Sequence, residues 1–301
     1  MKTDYDCLVI GAGPAGITAS IYLKRANLNC AVIEKGAPGG ALNKTSIVEN
    51  YPAVLPLSGP DLAQKFYDEL KTFDIPYLYG EVTSIENKEG YKVVKTEDEE
   101  YTTKAVIIAV GRSPKAYNNE SESLEGSGVS YCSLCDGALY KNEDVAIIGG
   151  GNTALEEALY LSEICSKVYI IHRRDELRGD KVLVDRINNK ENIEICYSSL
   201  VDKFNEKDKK LESLDLKVKD EIRNIKVKAC FIFIGYEPAT KFLKPLEILN
   251  EKGYIITHED GRTSIPGIYA AGDILEKSAY QIVTATNDGA LAAISCIKDL
   301  S

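Results

Sequence analysis

Short apolar runs bounded by glycine, alternating with amphipathic stretches of helical period, set the pattern of this chain. Residues 5–10 read as a buried strand, followed by a Gly-rich turn, a helix over 14–26 and a strand over 30–33 that ends in Glu34. Residues 145–148, 153–162 and 167–171 repeat that order, this time ending in His172-Arg-Arg174. Two βαβ units of this kind predict two nucleotide sites. Between them, 60–73 reads as a helix with Pro60 in its first turn, and 78–87, 91–97 and 101–110 read as strands. After the second unit, 193–197, 212–218 and 224–234 are strand-like, and the charged stretch Asn205-Glu-Lys-Asp-Lys-Lys210 reads as a solvated hairpin tip. Residues 282–300 close the chain with helical composition and period.

Domain limits follow from punctuation. Gly111-Arg-Ser-Pro114 and Gly235-Tyr-Glu-Pro238 are each a strand end followed by Gly and then Pro. If the chain crosses at both, the second βαβ domain is inserted into the first. The expected fold class is α/β: two Rossmann-like, three-layer ββα domains, the first discontinuous (1–112 and 239–301), the second spanning 113–238. Length agrees, since 301 residues exceed a typical single domain.

Composition narrows the partners. A hydrophobic fraction of 44% can build a core, and no apolar run approaches the ~20 residues needed to cross a bilayer. The N-terminus lacks the pattern of a signal peptide, so a cytoplasmic location is expected. A net charge of −10 disfavours nucleic acid and anionic membrane as partners. Six of the eight cysteines (Cys7, Cys30, Cys165, Cys196, Cys230, Cys296) are isolated, most of them in apolar runs, and read as small buried hydrophobes. Cys132 and Cys135 differ.

The first fingerprint is Gly11-Ala-Gly-Pro-Ala-Gly16. Gly11 permits the tight turn, Gly13 lets backbone approach a pyrophosphate, and Gly16 lets the helix pack on the strand. The anion then sits at the helix N-terminus. Glu34, 23 residues after Gly11, is the acid expected to bind ribose hydroxyls. The second fingerprint is Gly149-Gly-Gly151-Asn-Thr-Ala154. Its second strand ends in Arg173 and Arg174, with Arg178 four residues on; guanidinium groups there favour a 2′-phosphate and hence NADPH over NADH. Cys132-Ser-Leu-Cys135 has no second CxxC and no histidine at ligand spacing, so no metal is expected; a redox dithiol is the better reading, with Asp136 beside it as a proton carrier. A nicotinamide donates hydride whereas a disulfide needs electrons delivered to sulfur, so FAD at one fingerprint and NADPH at the other is the economical assignment.

With these motifs, Val48-Glu-Asn-Tyr-Pro52, Gly128-Val-Ser-Tyr-Cys-Ser-Leu-Cys-Asp-Gly137, His172-Arg-Arg-Asp-Glu-Leu-Arg178, Phe233-Ile-Gly-Tyr-Glu-Pro238 and Pro266-Gly-Ile-Tyr-Ala-Ala-Gly-Asp273, the chain resembles the low-molecular-weight thioredoxin reductases from residue 5 to 297. The resemblance implies FAD on Gly11, Gly13, Pro14, Ala15, Gly16, Glu34, Gly40, Leu42, Asn50, Gly111, Gly272, Asp273, Gln281 and Ile282. It implies NADPH on Gly149, Gly151, Asn152, Thr153, Ala154, His172, Arg173, Arg174 and Arg178. By the same resemblance Cys135 faces the flavin, Cys132 attacks the protein substrate and Asp136 is the acid. It further implies a homodimer, thioredoxin or a thioredoxin-like protein as partner, and a second domain that swings on two hinges. Two departures touch the flavin surroundings: Ala41 stands where the family often has Gln, and Tyr280-Gln281 where Arg-Gln is usual.

Three other functions compete. A relative taking electrons from ferredoxin would lack the GxGxxA and HRRxxxR motifs, which this chain keeps. A peroxiredoxin or glutaredoxin-like substrate is not distinguished by any motif. A flavin-binding sensor has no need of Cys132, Cys135 and Asp136, and all three are present.

Overall fold

Successive side chains along a strand face opposite ways, and in β1 (Tyr5–Ile10) both directions are buried. Cys7 and Val9 join one apolar cluster, Leu8 and Ile10 another. A strand buried on both faces requires a layer on each side of its sheet. The structure, a computed structural model, describes residues 2–45, 47–219 and 221–301, apart from the side chains of Asn119 and Glu120. It divides into two units, one running up to Ser113 and resuming over Glu237–Ser301, the other Pro114–Tyr236.

In the first unit β1 lies parallel to β2 (Cys30–Glu34), joined through α1 (Pro14–Arg25); α2 (Gly59–Thr72) leads to β3 (Tyr77–Tyr79) beside β2. The strands β4 (Val82–Lys88), β5 (Tyr91–Thr96) and β6 (Glu100–Ile108) form an antiparallel meander, and β6 also pairs parallel with β1. The single strand expected over 78–87 is two strands broken at Gly80-Glu81. They lie at opposite edges of the sheet, whose order is β3-β2-β1-β6-β5-β4. The polypeptide then leaves along β7 (Arg112–Pro114).

The second unit holds α3 (Asn119–Ser123), β8 (Val129–Ser130), α4 (Ser133–Asp136), β9 (Asp144–Ile148), α5 (Asn152–Ser162), β10 (Lys167–Ile171), α6 (Lys181–Asn188) and β11 (Ile193–Cys196). It continues through β12 (Ser199–Lys207), β13 (Lys210–Val218), β14 (Glu221–Lys226) and β15 (Ala229–Ile232) to β16 (Tyr236–Pro238), which pairs with β7. Five strands form a parallel sheet, β11-β10-β9-β15-β8, and β12-β13-β14 an antiparallel one. Val145 and Ile147 of β9 pack on Leu155, Ala158 and Leu161 of α5, whereas Ala146 and Ile148 face Phe204, Leu214 and Leu216 of the antiparallel sheet. Helix, parallel sheet and antiparallel sheet are therefore stacked as three layers, the ββα arrangement expected.

Two differences from the strand reading arise here. The segment 199–207 is a strand that the sequence pattern did not reveal, because a bulge between Val201 and Lys203 breaks its period of two. The run 224–234 is two strands in two sheets: Ile225 pairs with Leu214, but Ala229 pairs with Val145. The charged tip is a hairpin turn, with Asp208 and Lys209 both at positive φ.

Back in the first unit, β17 (Ile268–Ala270) lies parallel to β6, and α7 (Ile282–Leu300) packs on α1. That contact depends on Gly289, where a Cβ would stand 2.2 Å from the Ala15 carbonyl oxygen. All six isolated cysteines are buried.

Candidate active site

Each fingerprint turn is held from below by its own sheet. A Cβ on Gly11 would meet the Ala109 carbonyl oxygen at 2.4 Å, and one on Gly16 would meet that of Gly11 at 1.9 Å. In the second unit a Cβ on Gly149 would stand 2.6 Å from the Phe233 carbonyl oxygen and 2.7 Å from the Ala154 side chain. Gly13 and Gly151 behave oppositely: each has extended backbone any residue could adopt, and a Cβ on either would meet nothing within 4 Å. The protein fold does not demand glycine at those two positions. An open cradle does.

The helices behind these cradles are uncapped. No side chain hydrogen-bonds the N-terminus of α1 or α5, and neither has an acid in its first turn, whereas Ser58 caps α2 and Asp61 lies in the first turn there. Free N–H groups and the positive end of the helix dipole thus face open space twice, as an anion site requires. Glu34, at the end of β2, holds the first turn: its carboxylate accepts from Ala12 N at 2.9 Å and Gly36 N at 3.0 Å. Pro14 opens α1, and Gly40 lies against the turn, a Cβ there being 3.3 Å from Gly13 Cα.

In the second unit, Arg173, Arg174 and Arg178 are all exposed, and among the described residues none has a carboxylate partner. In a chain of net charge −10, three unpaired guanidiniums on one loop form an anion-seeking patch. The loop is tied to its fingerprint at both ends. Arg178 N donates to Gly150 O at 2.7 Å, and Asn152 bonds Asp180 reciprocally, its Nδ2 to the carboxylate at 2.9 Å and its Oδ1 from the backbone N at 2.7 Å. His172 is buried and packs where a Cβ of Gly150 would be, 2.4 Å from Nδ1. Burial pushes its pKa below the ordinary value, and the three neighbouring arginines act in the same direction. Its Nε2 has no hydrogen-bond partner among the described residues. Thr153 and Ala154 follow in the first turn of α5.

Cys132 and Cys135 form a disulfide across α4, with Cα atoms 5.3 Å apart. Cys132 is buried and Cys135 exposed. Cys135 N donates to Cys132 Sγ at 3.1 Å, so the first sulfur caps the short helix that carries the second.

A third cluster lies in the first unit, at the start of α7. Asn50 Nδ2 donates to Gln281 Oε1 at 3.1 Å, and Gln281 caps the helix that Ile282 begins. Asp273 pairs with Arg112 at 3.3 Å and with Lys277 at 3.7 Å, while Gly272 N donates to Asp288. The Arg112 guanidinium stacks on the Tyr280 ring, 3.6 Å from its centroid. Leu42 is buried in a small core with Val48, Leu62 and Ala63, and Gly111 has positive φ at the exit from β6. Sequence reasoning passed over Arg112, Lys277, Asp288, Gly150 and Ser130. All five become visible only through their contacts. Among the described residues no group of three His, Cys, Asp or Glu could hold a metal, and no helix is long and apolar enough to cross a membrane.

Two open glycine cradles at uncapped helix starts and a CxxC disulfide are features that a pyridine nucleotide-disulfide oxidoreductase requires. The family pattern described as pyridine nucleotide-disulphide oxidoreductase matches residues 5–289. A thioredoxin reductase of Bacillus subtilis is 44% identical over 97% of this chain and 93% of its own length. The crystal structure of Lactococcus lactis thioredoxin reductase superposes with a TM-score of 0.95 at 40% identity, covering 99% of both chains. That of Streptococcus pyogenes matches at 43% identity over 98% of both chains, with a TM-score of 0.66. The chain belongs to the thioredoxin reductase family.

Proposed function

We propose that this enzyme passes electrons from NADPH through FAD and the Cys132/Cys135 pair to oxidised thioredoxin. The observation that carries the reading is the pair of open glycine cradles at Gly13 and Gly151, in a chain that also closes the disulfide. The family is flavin-dependent, and the first unit fits FAD. Gly13 leaves room for a pyrophosphate at the uncapped start of α1, Glu34 is at hand for ribose hydroxyls, and Asn50, Asp273 and Gln281 lie together near the start of α7. The second unit fits NADPH through Gly151, Asn152, the orphaned His172 nitrogen and the unpaired Arg173, Arg174 and Arg178.

When bound, FAD accepts two electrons from a nicotinamide and delivers them to a disulfide. The protein's part is positional. The arginines hold a 2′-phosphate by charge-assisted bonds and so select the donor. Asp136 supplies a proton to the sulfur set free. Cys132 then attacks the disulfide of thioredoxin, and Cys135 resolves the mixed disulfide. Because Cys132 is the buried member of the oxidised pair, this division of labour requires Cys132 to be uncovered after reduction. We also read the enzyme as a cytoplasmic homodimer. Val283, Leu291 and Ile294 line one face of α7, each more than a third exposed, and a second copy covers them in this reading. Ile294→Asp should then yield monomers by light scattering.

The decisive test is a titration. Purified yellow protein should bleach with NADPH and recover with oxidised thioredoxin; bleaching by reduced ferredoxin but not NADPH would replace the donor, and recovery only with a peroxiredoxin or glutaredoxin-like protein would replace the acceptor.

A further inference from the structure

Ser130, the last residue of β8, is buried and faces the disulfide turn. A serine hydroxyl has one proton to give and lone pairs to accept with. Both capacities are used here. Its Oγ donates to Asp136 Oδ2 at 2.6 Å, the nearer of two acceptors in reach (Cys132 O lies at 3.3 Å), and accepts from Cys132 N at 3.0 Å. Among the described residues it is the only donor to the Asp136 side chain. A single buried hydroxyl therefore joins the backbone of one redox cysteine to the carboxylate that follows the other, and it does so from a strand fixed in the parallel sheet through β15.

We infer that Ser130 is a positioning residue that holds the Asp136 carboxyl for proton delivery to the dithiol. The inference rests on the reading of Cys132/Cys135 as the working pair. Two electrons breaking the S–S bond leave two thiolates. Two protons restore two thiols, one carried in with the hydride and one from solvent, and Asp136 relays the solvent proton. With the hydroxyl's hydrogen bond in place the carboxyl is held in one orientation, and part of its charge is taken up by that bond. The other titratable groups on the following turn and on α5, both packed against α4, are Tyr140 and then Glu156, Glu157 and Tyr160. Burial raises both tyrosines above their ordinary range, so they stay neutral through the pH interval concerned.

The test needs neither NADPH nor thioredoxin. The full-length flavoprotein is reduced with a small dithiol, freed of it, and alkylated with iodoacetamide from pH 5 to 9, about two units either side of neutrality. Cys132 and Cys135 are followed separately by peptide mass. In Ser130→Ala the Cys132 profile should move to higher pH by up to about one unit, because a carboxylate that no longer shares its charge with the hydroxyl disfavours a neighbouring thiolate more strongly. Ser130→Thr, which keeps the hydroxyl, should match wild type. In an Asp136→Asn background Ser130→Ala should shift nothing, because the group it acts through is gone. An unmoved profile in Ser130→Ala overturns the inference, and so does a shift that persists beside Asp136→Asn, which would mark a merely structural serine. Failure of the thioredoxin reading would appear instead in the turnover titration and leave these profiles untouched.

Discussion

Gly13 and Gly16 stand three residues apart in one turn, yet substitution should separate binding from folding. Gly16→Ala puts a methyl 1.9 Å from the Gly11 carbonyl oxygen, so α1 must retreat by about 1.5 Å to reach ordinary contact. Alanine gains up to ~1 kcal/mol of helix propensity, but overpacking against backbone costs about 1–3 kcal/mol and more where nothing can yield. The oxygen belongs to the turn itself, so the upper end applies, and a net loss of about 2 kcal/mol should lower the melting temperature of a unit this size by roughly 4–8 °C. Gly13→Ala meets nothing within 4 Å and keeps an allowed extended backbone. Its flavin-free form should melt with wild type, or slightly higher because the unfolded chain loses freedom, by about 0.4–1 kcal/mol. Its methyl would occupy the cradle, however, and FAD should no longer bind. Thermal melts of flavin-stripped proteins, followed by FAD titration with fluorescence quenching as readout, measure both effects. Wild-type FAD affinity in Gly13→Ala, or an unchanged flavin-free melt in Gly16→Ala, would refute the reasoning.

Four further outcomes are expected. Gly151→Ala should keep its flavin but lose bleaching by NADPH, since its cradle is equally open; retained bleaching at low NADPH speaks against that site. Replacing Arg173 and Arg174 by Ala should raise KM for NADPH by at least about tenfold, from 1.5–3 kcal/mol per lost charged partner, and leave NADH nearly unchanged; equal effects on both cofactors would show that these side chains do not read the phosphate. Cys132→Ser should abolish thioredoxin turnover yet leave flavin reduction by NADPH intact, and a long-wavelength absorption band from Cys135 against oxidised flavin should appear in Cys132→Ser and not in Cys135→Ser; the reverse pattern exchanges their roles. His172 has a folded pKa below its unfolded value, so both states are neutral above pH about 6.5. As pH falls below that, the unfolded chain takes up the proton first and stability is lost, which urea melts from pH 7.5 to 5.5, roughly one unit either side, should show as a slope absent from His172→Gln.

The sequence alone determined what repeats locally. Cys7 to Ile10 and Val145 to Ile148 are short apolar runs that follow an aspartate and end at a glycine, and no partner is needed to see that such strands lie between two layers. The fingerprints were legible for the same reason: a tight turn, an open cradle and a helix start are backbone requirements met within six residues. The cluster of Arg173, Arg174 and Arg178 was visible because it replaces an acid at a fixed distance from a glycine turn.

Tertiary structure decided everything that depends on which strand meets which. Tyr77–Tyr79 and Val82–Lys88 read as one run, but the first pairs with β2 and the second with β5, at opposite edges of one sheet. Ile225 and Ala229 fall into different sheets although four residues apart. The bulge at Val201/Lys203 erased the alternation that reveals a strand. Ser130, Arg112 and Gly150 belong to the same class. A serine after a valine, an arginine after a glycine or the middle glycine of three carries no periodic signal. Their contacts are with Asp136, Tyr280 and His172, which lie six or more residues away, and burial and hydrogen bonding are properties of the neighbours that folding brings, not of the residue itself.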